Sequence, residues 1–234
     1  MPMNPPPPRD ATRSRILDVA EQLVQTRGFN GFSYADIALE VGITKASLHY
    51  HFATKAELGR TLVTRYTQGF GAALEQIAAS LPDARKQLRA YVELYSGVLR
   101  EERLCLCGMV AAEYATLPAA MQGALRVFFE LNERWLTALL EQGQAAGTMA
   151  LRTSSTDAAR MLVAALEGAM LVARAYGDPA RFAAAAELLL TQLEDGGDRQ
   201  EPRGAARARG GRTTRRAASR VKAAGPRRAR ARPA

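Results

Sequence analysis

The chain has 234 residues, 47% of them hydrophobic, enough for a sizeable buried core in one large domain or two modest ones. Its 32 Lys+Arg against 23 Asp+Glu give +9, but twelve of the bases lie from Pro202 onward without an acid, which leaves the preceding body at −3. A nucleic-acid role for that body therefore cannot be read from net charge and needs its own residues.

Cys105 and Cys107 stand one residue apart and suggest no disulfide framework. Met1 to Pro8 contains no apolar stretch of the signal-peptide kind, and the longest apolar run, Met161 to Ala173, is short and interrupted by Glu167. The expectation is a cytoplasmic protein with no membrane span and reduced thiols.

In chain order, residues 1–9 read as a disordered N-terminus. Ile16, Val19, Ala20, Leu23 and Val24 then recur on one face of an amphipathic helix that Gly28 stops. Ser33-x-x-Asp36 reads as a capping box opening a second helix that ends at Gly42. A third helix runs from Thr44 to about Tyr50. A fourth opens with Thr54-x-x-Glu57 and carries Leu58, Leu62, Leu74 and Ile77 towards Ser80. Further helices are expected at about 83–100, 103–116, 118–146, 155–176 and 179–194, with Pro118 and Pro179 at first turns and Gly147 and Gly177 at ends. No segment alternates in the manner of a strand, so the fold is all-α with about nine helices. From Asp195 the composition turns to Gly, Ala, Pro and Arg, which cannot bury enough surface to offset ordering entropy; residues 196–234 read as a disordered Arg-rich tail.

The informative stretch is Ser33 to Lys55. Two short helices meet at Val41-Gly42-Ile43, where glycine permits positive φ, and Ile37, Ala38, Val41, Ile43 and Leu48 form an apolar wedge between them. The outward face of the second carries Thr44, Lys45, Ser47, His49, Tyr50 and His51, all able to hydrogen-bond. A short polar, cationic and aromatic helix suits a major groove. Both histidines of the chain lie here, which leaves the rest without an apparent catalytic or metal constellation; no enzyme activity, metal or cofactor is expected.

Residues 13–58 resemble the TetR/AcrR family of repressors: Gly-Phe, a Ser-started helix, Ile-Ala, Val-Gly-Ile-Thr, Ser-Leu, Tyr-His-Phe and Lys-x-x-Leu occur in register. The resemblance implies a helix-turn-helix DNA-binding domain at 10–57 and a helical effector-binding and dimerisation domain at 58–195. It implies base-edge contacts from Lys45, Ala46 and His49. It implies phosphate contacts from Ser33, Tyr34, Thr44, Ser47, Tyr50, His51 and Lys55. His49 departs from the aromatic residue usual at its place, so a hydrogen bond to a base replaces apolar contact as the expectation.

The resemblance further implies a homodimer joined through the last two helices. There Met161, Leu162, Ala165, Leu166, Ala169 and Met170 form one broad apolar surface and Phe182, Leu189 and Leu193 another. The middle helices are expected to enclose a pocket for a small-molecule inducer, with Tyr91, Tyr95, Met109, Tyr114, Phe128, Trp135 and Met161 as lining and no buried acid or base as a handle. Cys105-Leu-Cys107-Gly-Met-Val-Ala-Ala-Glu113 resembles a segment in a branch of the family, some members of which sense electrophiles through the cysteine at the place of Cys105. A helix N-terminus there would lower that thiol's pKa.

The reading is a sequence-specific repressor, released by its inducer from a palindromic double-stranded DNA operator. The alternative is a non-specific architectural binder acting through the basic tail.

Overall fold

The structure, a computed structural model, describes residues 9–194; the expected tail, and the N-terminus apart from Arg9, lie outside them. Helix ends follow local chemistry. α1 (Arg9–Arg27) stops at Gly28, whose φ is +82°. α2 (Tyr34–Val41) starts on the capping box read from the sequence. The Ser33 hydroxyl accepts from Ala35 N–H, and the Asp36 carboxylate accepts from Ser33 N–H at 2.7 Å. α3 (Lys45–His51) is capped by the Thr44 hydroxyl, which accepts from Ser47 N–H at 3.1 Å. α4 (Lys55–Ser80) is capped by Thr54, while Glu57 reaches back to Ala53 N–H rather than to its N-cap.

The remaining helices are α5 (Ala84–Arg100), α6 (Leu106–Ala112), α7 (Ala119–Ala145), α8 (Ser155–Tyr176) and α9 (Pro179–Glu194). No strand occurs among the described residues, as expected. One expected helix, 103–116, is three pieces. Arg103–Cys105 is extended because Leu104 N–H leaves the helical path for the Gln25 carbonyl of α1, at 3.1 Å, just after Glu102 takes φ +57°. Beyond Ala112 the chain tightens into a 3-10 turn at Tyr114–Thr116.

The first three helices share a small core of Ile16, Ala20, Val24, Ile37, Ala38, Val41 and Leu48, which runs on into Leu58 and Leu62 of α4. Full burial of each large aliphatic side chain contributes about 1.5–3 kcal/mol. α4 packs on α7, α7 on α8 and α8 on α9, with α5 laid against α7 and α9. The expected division at 57/58 falls inside the first turn of α4, so a rigid helix rather than a linker crosses it. Arg65 of α4 forks to Asp18 (2.7 Å) and Glu21 (2.9 Å) of α1, which ties the N-terminal helices to that rod. No helix among the described residues is long and apolar enough to cross a membrane.

The apolar surfaces of the last two helices differ from expectation. Leu162, Leu166, Met170, Phe182 and Leu193 are buried within the single chain. The side chains left outside are Met161, Leu171, Val172 and Tyr176 of α8 and Leu188 of α9. Apolar composition had marked both faces of α8; packing chooses which one turns in.

Gly42, between α2 and α3, has φ +76° and sends its N–H to the carbonyls of Ala38 and Leu39. A Cβ there would meet nothing, so the requirement is purely conformational. Gly42→Ala is expected to lower unfolding free energy by about 1–2 kcal/mol, read by urea denaturation, with Gly42→Asn costing less.

Candidate DNA interface and ligand interior

α3 turns Leu48 into the core and leaves Thr44, Lys45, Ala46, His49 and Tyr50 exposed, with Ser47 half-buried. Tyr50 is 66% exposed, and its ring meets His51 edge-on at 5.5 Å. His49 Nδ1 lies 3.2 Å from the Ala53 carbonyl. A carbonyl only accepts, so Nδ1 carries a proton in this contact, and in the uncharged tautomer Nε2 is left as an acceptor. Such an acceptor matches the exocyclic amine of adenine or cytosine.

Three of the expected phosphate residues are committed inward. Tyr34 donates its hydroxyl proton to the Phe52 carbonyl at 3.0 Å and lies 4.8 Å from the His49 ring; burial, then Glu57, push its pKa up to about 12. Its single O–H is thus spent on holding the end of α3. Lys55 donates to the Phe32 carbonyl and stands over the Phe29 and Phe32 rings at 4.8 and 4.2 Å, with burial lowering its pKa. One N–H is used there and two remain for an outer acceptor. His51 is half-buried, its Nδ1 sealed and unpartnered. A basic neighbour missed by the sequence reading is Arg13, whose guanidinium lies 4.7 Å from the Phe52 ring beside the end of α3. Nothing in helix periodicity marks it.

The second site is the interior between α4, α5, α6, α7 and α8. Phe70 sits 5.3–6.3 Å from the rings of Tyr66, Tyr91, Tyr95 and Phe128, and Trp135 stacks on Tyr91 at 5.6 Å. Tyr91 donates to Asn132 Oδ1 at 2.8 Å and meets the Tyr95 hydroxyl at 3.1 Å. Of the expected lining, Tyr91, Tyr95, Phe128 and Trp135 come together here, and Met109 packs against the same core. Met161, 45% exposed, and Tyr114, 41% exposed and hydrogen-bonded to Arg126, do not. Tyr66 and Phe70 were missed, although their i, i+4 spacing on α4 was visible.

Comparison with known proteins agrees with this layout. Residues 16–60 match the model of bacterial regulatory proteins of the tetR family, and residues 84–189 match the tetracyclin repressor-like C-terminal domain. A TetR-family transcriptional regulator from Agrobacterium tumefaciens is 36% identical, with a TM-score of 0.77, over 79% of this chain and 98% of that one. The chain belongs to the TetR family. It is a transcriptional regulator with a helix-turn-helix DNA-binding domain. The transcriptional activator FasR of Mycolicibacterium smegmatis is 27% identical over 47% of this chain, and the transcriptional repressor KstR2 of Rhodococcus jostii 32% identical over 38%. The matches span about half the length of these two relatives, 51% and 47%.

In this TetR-family chain the interior also holds an acid. Glu167 of α8 places Oε1 out of solvent with no hydrogen-bond partner, an acid that the expected lining did not include. Burial pushes its pKa up to about 7. The signal was the single charge breaking the run from Met161 to Ala173. Cys105 and Cys107 are buried, and desolvation followed by neighbouring negative charge raises both thiols rather than lowering them. Cys105 does precede the first turn of α6, but the cost of burying a thiolate beside Glu167 outweighs that short helix's dipole.

α6 links the two sites. Its N-terminal end carries Cys105 and Cys107 into the interior, with half-buried Gly108 against Glu167. At its other end the Glu113 carboxylate accepts from Asn30 N–H at 3.1 and 3.2 Å, and Thr116 Oγ1 accepts from Asn30 Nδ2 at 2.8 Å. Asn30 lies in the turn between α1 and α2.

Because the folded carboxyl of Glu167 titrates above its ordinary 4.5, the folded state holds the proton more tightly than the unfolded chain. The resulting stabilisation is complete below about pH 4.5 and is lost as pH rises through about 7. Glu167→Gln, a mimic of the neutral acid, should match the parent near pH 5 and exceed it above pH 7 by ~2 kcal/mol, measured by urea denaturation at both pH values.

Proposed function

We propose that the chain is a homodimeric repressor of a palindromic operator, released when a small molecule binds its helical interior. The observation that carries the reading is the exposed polar face of α3, held at a fixed angle to α2 by the Gly42 turn and presenting Lys45, Ala46 and His49 together. Base-edge contacts fall to those three, and phosphate contacts to Ser33, Thr44, Ser47, Tyr50, Lys55 and the outer side of His51. Dimerisation falls to the exposed stripe of Met161, Leu171, Val172 and Tyr176 with Leu188, an apolar face that a second copy would cover by two-fold symmetry. Two copies of α3 would then enter successive major grooves about 34–36 Å apart.

Release follows from a two-state equilibrium. An inducer that prefers the conformation with misplaced recognition helices by several kcal/mol empties the operator. The path runs from the ring-lined interior along α6 to the Glu113–Asn30 contact, and so to the turn that precedes α2. Reversible occupancy by a small molecule suits this interior better than attack on an electrophile by Cys105, since the buried thiol resists ionisation. The two named relatives are an activator and a repressor; repression is preferred here because an effector that displaces the recognition helices lifts a block most simply.

Selection from random DNA should enrich one imperfect palindrome, and sedimentation at micromolar concentration should give a dimer. No enrichment would sink the reading. Lys45→Ala should weaken the selected site by about 1–3 kcal/mol and relax preference at one position, whereas Lys55→Ala should weaken all sequences about equally; fluorescence anisotropy on matched and scrambled duplexes separates the two.

A further inference from the structure

The interior described above contains an unbalanced charge. The Cys105 thiol donates to the Glu167 carboxyl, but Oε1 is sealed and without a hydrogen-bond partner, and a buried acceptor atom in that condition has room for one further donor. The nearby hydroxyls are already committed: Tyr91 to Asn132, Tyr95 with Tyr91, and Tyr66 towards the Cys105 sulfur at 3.9 Å. The groups that feel the Glu167 charge are Tyr66, Tyr91, Tyr95, Cys105 and Cys107, and each of these can only become an anion. Burial and the Cys105 thiol are what act on Glu167, and among the described residues no lysine or arginine stands with them as an internal counter-ion.

The carboxylate is nevertheless seated deliberately. A Cβ on Gly108 would come within 2.2 Å of Glu167 Oε2, so glycine at that point of α6 is what lets the group lie there. Tyr66, Tyr91 and Tyr95 lie near enough to feel its charge, and they belong to one ring cluster with Phe70 and Phe128, whose faces carry negative quadrupole potential.

We propose that this interior binds a small organic cation, an aromatic or aliphatic amine, whose N–H groups satisfy Glu167 and whose charge rests against the ring faces. The proposal builds on the ligand-released regulator proposed above and names the chemical class of its ligand. An anionic ligand would set a second negative charge beside Glu167. A metal ion lacks partners, since no group of three or more His, Cys, Asp or Glu side chains suited to a metal occurs among the described residues. A neutral apolar ligand would leave Oε1 as it is.

Trp135 is the single tryptophan of the chain and stacks on Tyr91, so its emission reports on the site directly. The full chain is titrated at about pH 8, where an alkylamine keeps its proton and Glu167 has lost its own, with 2-phenylethylamine, 2-phenylethanol and 3-phenylpropionate, which differ only in the terminal group. The amine should give a saturable emission change with a Kd at least about ten-fold below that of either analogue. Glu167→Gln should reduce the amine to the level of the alcohol. Gly108→Ala, which pushes the carboxylate off its seat, should do the same and serves if the first variant is poorly folded. Equal affinity for all three compounds, no saturation by the amine, or an amine preference that survives both variants would overturn the proposal. Anisotropy on the selected duplex is read in parallel. Amine binding without DNA release removes the inducer role and leaves the site standing, while failure of the unliganded chain to bind any duplex sinks the regulator reading without touching the titration.

Discussion

A helix of seven residues does not hold together in water, because nucleation costs more than two turns return. α3 is such a helix, and everything the protein does on DNA depends on its being held from outside. Thr44 ends it at the front, Tyr34 grips the Phe52 carbonyl at the back, and Leu48 and Phe52 anchor it from beneath with no exposed surface. Lys55 fastens the adjoining loop through the Phe32 carbonyl and two rings. Tyr34 therefore spends its hydroxyl on holding the recognition helix, and Lys55 spends one N–H on the loop beside it while keeping two for an outer acceptor. The division of labour is economical: the outer residues remain free to vary with the DNA sequence while the inner ones keep the rod in place.

The other half of the molecule is organised around polarity in a place that composition alone would make greasy. A tyrosine pair closed by Asn132, a thiol pair and one carboxylate lie among aromatic rings. The Tyr91–Asn132 network satisfies itself, and a self-satisfied network rigidifies the interior. Glu167 is the member left over. Sites that recognise polar ligands have this character: most polar groups are paired in advance and a small remainder is left to be completed.

Legibility in the sequence follows the range of the forces involved. Caps and glycines act within four residues, so Ser33, Asp36, Gly42, Thr44 and Gly177 could be read directly, and the helix bounds from α2 to α4 and for α8 and α9 followed. The wedge of Ile37, Ala38, Val41 and Leu48 was legible for the same reason. Long-range choices were not. Periodicity marked α8 as apolar on more than one face but could not say that Leu162 turns in and Met161 out. The contact of Leu104 with Gln25 that divides the expected 103–116 helix depends on a strand of chain nearly eighty residues away. Cys105 was read from its position before a helix, a local cue that the tertiary burial of the thiol overrides. Tyr34 and Lys55 were assigned by resemblance to phosphate contacts, and only three-dimensional packing reveals their inward hydrogen bonds.

At ~1.5 Å per residue, α6 is only about 10 Å long, too short and too stiff to bend between its ends. Whatever shifts Gly108 must carry Glu113 with it, and Glu113 is bonded to Asn30 rather than merely near it. On the proposed ligand-released reading, a message between the two halves would travel as displacement of a strut, not as loosening of a hinge. Sequence drift in the ring-lined interior would then alter which compound is heard without rewriting how the answer is delivered.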